Sequence, residues 1–206
     1  MSKELNLTVG LPVMESFYTL QGEGFHTGKA AFFIRLAGCD VGCHWCDVKE
    51  SWTAQDSQFQ EISQITEKVL AVPSKTAVIT GGEPAMYNLS ALVDSLHKSN
   101  ISVHIETSGV HPIIGDLDWI TLSPKKFKDC LPENFSKANE LKIVIFHPAD
   151  LEWAEKLAQN VKKDCKLYLQ PEWGKADKIT PLIINHIQSN PKWRLSLQTH
   201  KYINIP

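Results

Sequence analysis

Along the chain, short runs of Val, Ile, Leu and Phe alternate with longer stretches whose apolar residues recur every three or four positions. The short runs fall at 31–37, 76–80, 101–107, 118–123, 140–146, 165–170 and 193–198. Their length and their content of β-branched and aromatic residues predict strands covered on both faces. Between them, Ile62, Ile65 and Val69 share one face of a predicted helix over 59–71. Leu89, Leu92, Val93 and Leu96 do so over 88–99, behind Asn88 as N-cap. Leu151, Ala154, Leu157 and Ala158 repeat the spacing over 149–161, and 177–188 is a fourth, weaker case.

Strand–helix–strand alternation predicts a mainly parallel sheet with helical crossovers. Six or seven such units fall short of the eight that close a barrel, so the expected architecture is α/β, an incomplete (β/α) barrel of mostly parallel strands. Pro and Gly are scattered and no repeat is visible, so residues 1–206 read as a single domain. In such a fold function sits at the carboxyl ends of the strands. Polar clusters fall there: Cys39 to Cys46, then GGEP (81–84), ETSG (106–109), SPKK (123–126), QPEW (170–173) and QTHK (198–201).

Composition narrows the partners. The formal net charge is −2 with no long basic run, so a phosphate-tracking surface for nucleic acid is not expected. Residues 1–17 lack the pattern of a signal peptide, and no apolar run is long enough to span a membrane. Five cysteines, three of them within eight residues, do not form a secreted disulfide framework. A reducing compartment, the cytoplasm, is expected.

Cys39-x3-Cys43-x2-Cys46 carries the most chemistry. Thiolates are the usual ligands of iron–sulfur clusters, and three of them leave the fourth iron of a 4Fe-4S cubane open to a substrate. A zinc ion would need a fourth protein ligand, and His44 lies too close to Cys43 to reach the same tetrahedral centre. Cys165 reads as core, Cys130 as a loop residue open to solvent, and the other histidines as structural or solvated.

The triad, with Trp45 between its last two cysteines, resembles the radical S-adenosylmethionine superfamily. The resemblance implies that the unique iron is chelated by methionine, and that an electron from the cluster cleaves the sulfonium to a 5′-deoxyadenosyl radical. It also implies S-adenosylmethionine contacts from Trp45, Asp47, Gly82, Glu83, Glu106, Ser108, Ser123, Pro124, Lys125 and Gln170. Taken alone, GGEP also suits a type II turn. Tyr18 to Gly24, Phe33 to Cys39 and Gln198 to Pro206 resemble the 7-carboxy-7-deazaguanine synthase family over essentially the whole chain. That resemblance implies a radical lyase acting on 6-carboxy-5,6,7,8-tetrahydropterin in queuosine biosynthesis, a homodimer, and a flavodoxin- or ferredoxin-type electron donor.

The implied substrate contacts are Leu20, Gln21, Gly22, Glu23, Arg35, Thr80, His200 and the carboxylate of Pro206. Arg35 is chemically apt, since a guanidinium fork suits the pterin carboxylate, although a surface ion pair is its alternative role. The family pattern reads Cys-Asp-Thr after the last cysteine, with the Thr on Mg2+. Here Val48 offers no oxygen to a hard cation, which weakens the expected site. Two rival readings are an activating enzyme that places a glycyl radical on a partner protein, and a non-catalytic iron–sulfur protein.

Overall fold

The computed structural model describes residues 10–206; the reading of residues 1–17 as leaderless falls largely outside them. Nine strands form one sheet: β1 (Gly10–Leu20), β2 (Ala30–Leu36), β3 (Phe59–Glu61), β4 (Thr76–Gly81), β5 (Ser102–Thr107), β6 (Trp119–Leu122), β7 (Glu140–Ile145), β8 (Lys166–Pro171) and β9 (Trp193–Leu195). Their order is β3-β1-β2-β4-β5-β6-β7-β8-β9. From β2 through β9 neighbours in that order are parallel, while β1 is antiparallel to both β2 and β3. Both edges remain unpaired with each other, so the barrel is open, as the strand count predicts.

Each of the seven predicted strands has a counterpart. β1 and β3 were not anticipated: β1 is a long hairpin partner with mixed exposure and a bulge between Val13 and Glu15, so its apolar period is blurred. The predicted helices correspond to α1 (Ile62–Leu70), α2 (Ser90–His97), α4 (Asp150–Ala158) and α5 (Ala176–Ser189). Two short helices, α3 (Pro132–Lys137) and α6 (Thr199–Ile203), join them, too brief to show a period. Asn88 sits one residue before the formal cap and accepts from the Ser90 N–H at 3.0 Å.

The helices cover one face of the sheet. Ile34, Leu36, Ile79, Val103 and Ile105 pack with Val69, Leu92 and Leu96 in one core cluster. Leu141, Ile143, Ile145 and Leu169 pack with Ala154, Ile179 and Ile183 in a second. The expectation of two apolar faces is corrected here. In β7, Leu141, Ile143 and Ile145 join the helix-side core, while Lys142 and Val144 line a cavity on the other face. In β5, Val103 and Ile105 alternate with His104 and Glu106 in the same way. Polar residues survive inside these strands because the inner face encloses a polar site instead of a second helical layer.

Candidate active site

The cavity opens at the carboxyl ends of the parallel strands and has a volume of about 360 Å³, within the usual range for small-molecule sites. Its lining includes every sequence-predicted site residue except Pro124. Residues from positions 17 to 206 therefore meet on one surface.

The cysteine loop follows β2. Gly38, at φ +96°, turns the chain out of the strand, and its N–H donates to Ser51 O at 2.7 Å. Cys39 N–H donates to Trp52 O at 3.0 Å and Cys46 N–H to Cys43 O at 3.0 Å. Asp40 anchors the loop from outside: it accepts from Lys128 and pairs with His111 Nε2 at 3.0 Å. Cys39, Cys43 and Cys46 are all free thiols facing the cavity, packed with Val41, Val110 and Trp45.

This donor set fits a polynuclear cluster. Three free thiols on one loop are the usual donor set of an iron–sulfur cluster. His44 is turned away, its ring edge-on to Phe127 and Phe146 at centroid distances of 5.2 and 5.1 Å. Burial raises the Cys39 thiol and pushes Cys43 up to about 11, so thiolate ligation there releases protons.

The GGEP loop packs directly beneath. A Cβ on Gly81 would lie 2.1 Å from Leu36 O, and one on Gly82 would lie 2.2 Å from Gly38 O. Only glycine allows this approach, which brings strand end and cysteine loop together. Glu83 is buried and its carboxylate accepts from Ala85 N–H at 3.0 Å and Ser108 N–H at 2.8 Å, and from both Thr107 and Ser108 hydroxyls. Ser108, expected at the ribose, is thus also part of the Glu83 scaffold. Lys125 is aimed at Ser123, with Nζ 2.7 Å from its Oγ and 5.8 Å from the Trp45 ring centre.

On the opposite wall, Gln21 Nε2 donates to Glu106 at 2.9 Å and Gln21 Oε1 accepts from Glu23 N–H at 3.1 Å. Burial alone would raise the Glu23 carboxyl, but the Lys142 ammonium outweighs it and lowers the pKa to about 2. Arg35 makes the ion pair weighed as its alternative role and also lines the cavity. Nε binds Glu15 at 2.6 Å, and the guanidinium lies 5.9 Å from the Phe17 ring centre.

The end of the chain closes this wall. Thr199 N–H donates to Gly22 O at 2.9 Å, and a Cβ on Gly22 would fall 2.2 Å from His200 Nδ1. Gln198 Nε2 donates to Glu23 at 3.0 Å, and Lys201 reaches Asp47 at 2.9 Å, tying α6 to the cysteine loop. Burial lowers the His200 pKa, leaving a neutral imidazole at pH 7.

Sequence reasoning missed Lys142, Gln198 as a contact, and Glu140. Lys142 was detectable as the one cation inside the apolar run ELKIVIF. Cys130 is half-buried against Leu131, not open as expected, and Cys165 is buried core.

An open parallel barrel with three free thiols at its strand ends is the architecture of a radical S-adenosylmethionine enzyme, and the Radical SAM superfamily model matches residues 33–160. Over 210 residues, covering 100% of both chains, the protein is 50% identical to the 7-carboxy-7-deazaguanine synthase of Flavobacterium psychrophilum. It is 44% identical to that of Synechocystis over 97% of this chain and 95% of the relative. The crystal structure of QueE from Escherichia coli superposes with a TM-score of 0.83 at 33% identity, covering 93% of this chain and 95% of that one. The chain belongs to the 7-carboxy-7-deazaguanine synthase family.

Proposed function

We propose that this chain converts 6-carboxy-5,6,7,8-tetrahydropterin to 7-carboxy-7-deazaguanine with loss of ammonia, as a radical S-adenosylmethionine lyase of queuosine biosynthesis. The observation that carries this reading is one cavity that gathers two chemically distinct sets of residues. Three thiols with Glu106, Ser123, Lys125 and Gln170 are the set expected at the cofactor side. Gln21, Glu23, Arg35, Thr80 and His200 are the set expected at the substrate side. A glycyl-radical activating enzyme would have no need of that second set.

Cys39, Cys43 and Cys46 would hold the 4Fe-4S cluster. When bound, the cluster and S-adenosylmethionine supply reductive generation of an adenosyl radical. The chain's own groups fix the reactants. Glu106 and Ser108 face the ribose, and Gly82 offers backbone to the methionine end. Arg35 binds the pterin carboxylate as a charged fork. Glu23, held ionised, accepts from the pterin's N–H groups, and neutral His200 with Thr80 and the Leu20–Gly22 backbone completes the contact. Helix α6 contributes His200 and Lys201 to the cavity and is tied to Gly22 through the Thr199 N–H. The described residues contain no helix long and apolar enough to cross a membrane.

We further place the protein in the cytoplasm, as a homodimer served by a flavodoxin- or ferredoxin-type donor. Val48 stands at the lining position where the family pattern has an oxygen ligand, so Mg2+ here would rest on substrate oxygens, water and a carboxylate such as Asp47. Anaerobic reconstitution, followed by reductant, S-adenosylmethionine and the carboxypterin, tests the proposal by mass analysis. Formation of 7-carboxy-7-deazaguanine supports it. Cleavage of S-adenosylmethionine without that product would refute the substrate assignment.

A further inference from the structure

Lys142 takes no part in the proposed contacts to substrate or cofactor, yet it is the most enclosed cation lining the cavity. Its side chain is 4% exposed and projects from β7 between two carboxylates. Nζ contacts Glu23 Oε2 and lies 2.7 Å from Glu106 Oε2. Glu106 Oε1 accepts from Gln21 Nε2 at 2.9 Å, and Gln21 Oε1 accepts from the Glu23 N–H at 3.1 Å. The contacts form a closed ring: Lys142 to Glu106 to Gln21 to Glu23 and back. Glu23 belongs to the substrate-side set and Glu106 to the cofactor-side set.

We infer that Lys142 is a positioning residue that locks the substrate-side and cofactor-side carboxylates into one ring, at a fixed separation, so that pterin and ribose bind in register. The inference rests on the proposed function for what each set binds. An ammonium has three donors and here spends two, while each carboxylate oxygen keeps a further lone pair for a ligand N–H or O–H. Burial alone would depress the Lys142 ammonium, but Glu106, Glu23 and Glu140 outweigh it and hold it above the ordinary lysine value.

Without the cation, Glu23 and Glu106 would face each other across a small gap, with Glu140 below on the same strand face. Closely spaced buried carboxylates resist ionising together, so without the cation one of them holds a proton more readily. A protonated carboxyl donates where its ligand needs an acceptor. The other charged groups facing this point are Lys125, which is engaged with Ser123, and His200, which burial keeps neutral. Neither replaces the missing charge.

The experiment uses reconstituted holoenzyme and calorimetric affinities for S-adenosylmethionine and for the carboxypterin between pH 6.5 and 8.5, expressed as variant over wild type to cancel the ligands' own titration. Wild type that binds neither ligand defeats the proposed function itself. Given wild-type binding, Lys142→Met is expected to weaken both ligands at pH 6.5 and to recover as pH rises, by up to about tenfold per pH unit for one titrating group. Lys142→Arg keeps the charge and restores most of the loss. The triple variant Lys142→Met/Glu23→Gln/Glu140→Gln leaves Glu106 as the single carboxylate at this point, so its S-adenosylmethionine affinity ratio is expected to be flat with pH. It also guards against misfolding of the single variant, because no like-charged pair remains. The inference is overturned if Lys142→Met binds both ligands like wild type, if its loss is independent of pH, or if the triple variant retains a pH-dependent ratio.

Discussion

Glu140 makes a test of the barrel floor possible without any ligand. The residue starts β7, is 2% exposed, and lies so close to the β1–β2 loop that a Cβ on Gly24 would fall 2.0 Å from its Oε1. One oxygen accepts from Phe25 N–H at 3.1 Å; the other has no hydrogen-bond partner among the described residues. Burial is the dominant influence and raises the carboxyl from an ordinary 4.5 to about 7, against the opposing pull of Lys142. A carboxyl raised in the fold adds no penalty below its unfolded pKa, and its contribution to stability is lost as pH rises through the folded value. That elevation corresponds to about 3 kcal/mol at high pH. Glu140→Gln keeps the shape and the acceptor for Phe25 but never ionises. Relative to wild type it should therefore be up to about 3 kcal/mol more stable at pH 8.5, roughly 6–12 °C in Tm for a chain of this size. The advantage should shrink through pH 7 and disappear near pH 4.5. Urea unfolding of cluster-free protein at matched m-values, across that pH range, measures it. A wild-type-minus-variant difference that does not change with pH would refute the argument, and a variant less stable at pH 8.5 would mean that Glu140 is ionised and paired with Lys142.

Cys39→Ala, Cys43→Ala and Cys46→Ala should each lose the cluster, whereas Cys130→Ala and Cys165→Ala should keep it; iron and sulfide analysis decides, and a full complement in Cys43→Ala would sink the ligand set. Gly22→Ala should raise the pterin KM and lower kcat/KM by about tenfold or more at unchanged iron content, because its Cβ would meet His200 at 2.2 Å and displace α6. Unaltered kinetics would show that α6 does not seat the substrate. Mg2+ should stimulate turnover only weakly, and Val48→Thr should increase that response by supplying an oxygen ligand. Assays with EDTA and with added Mg2+ check this, and a strong wild-type dependence untouched by the substitution would contradict it.

Much of the site could be read before the fold was known, because its chemistry is concentrated in strand-end loops. The cysteine spacing, GGEP and ETSG are contiguous strings, and a loop of fixed length brings its own residues together whatever the rest of the chain does. The parallel strands could be read for a related reason: a buried strand needs an apolar helix-side face, and that need writes itself as short Val, Ile and Leu runs. β1 escaped because a bulged edge strand, half-exposed, leaves no clean period. α6 escaped because five residues are too few to show one.

What the sequence determined by itself was therefore the helix–strand alternation, the open barrel it implies and the three thiols on one loop. Tertiary structure alone decided which distant charges meet. Lys142 stands 36 positions from Glu106 and 119 from Glu23, yet contacts both, and Glu15 engages Arg35 across the β1–β2 pair. The physical reason is that strand periodicity records only whether a side chain faces the helices or the cavity. Which polar groups meet inside the cavity depends on strand order and register, set by packing of the whole sheet.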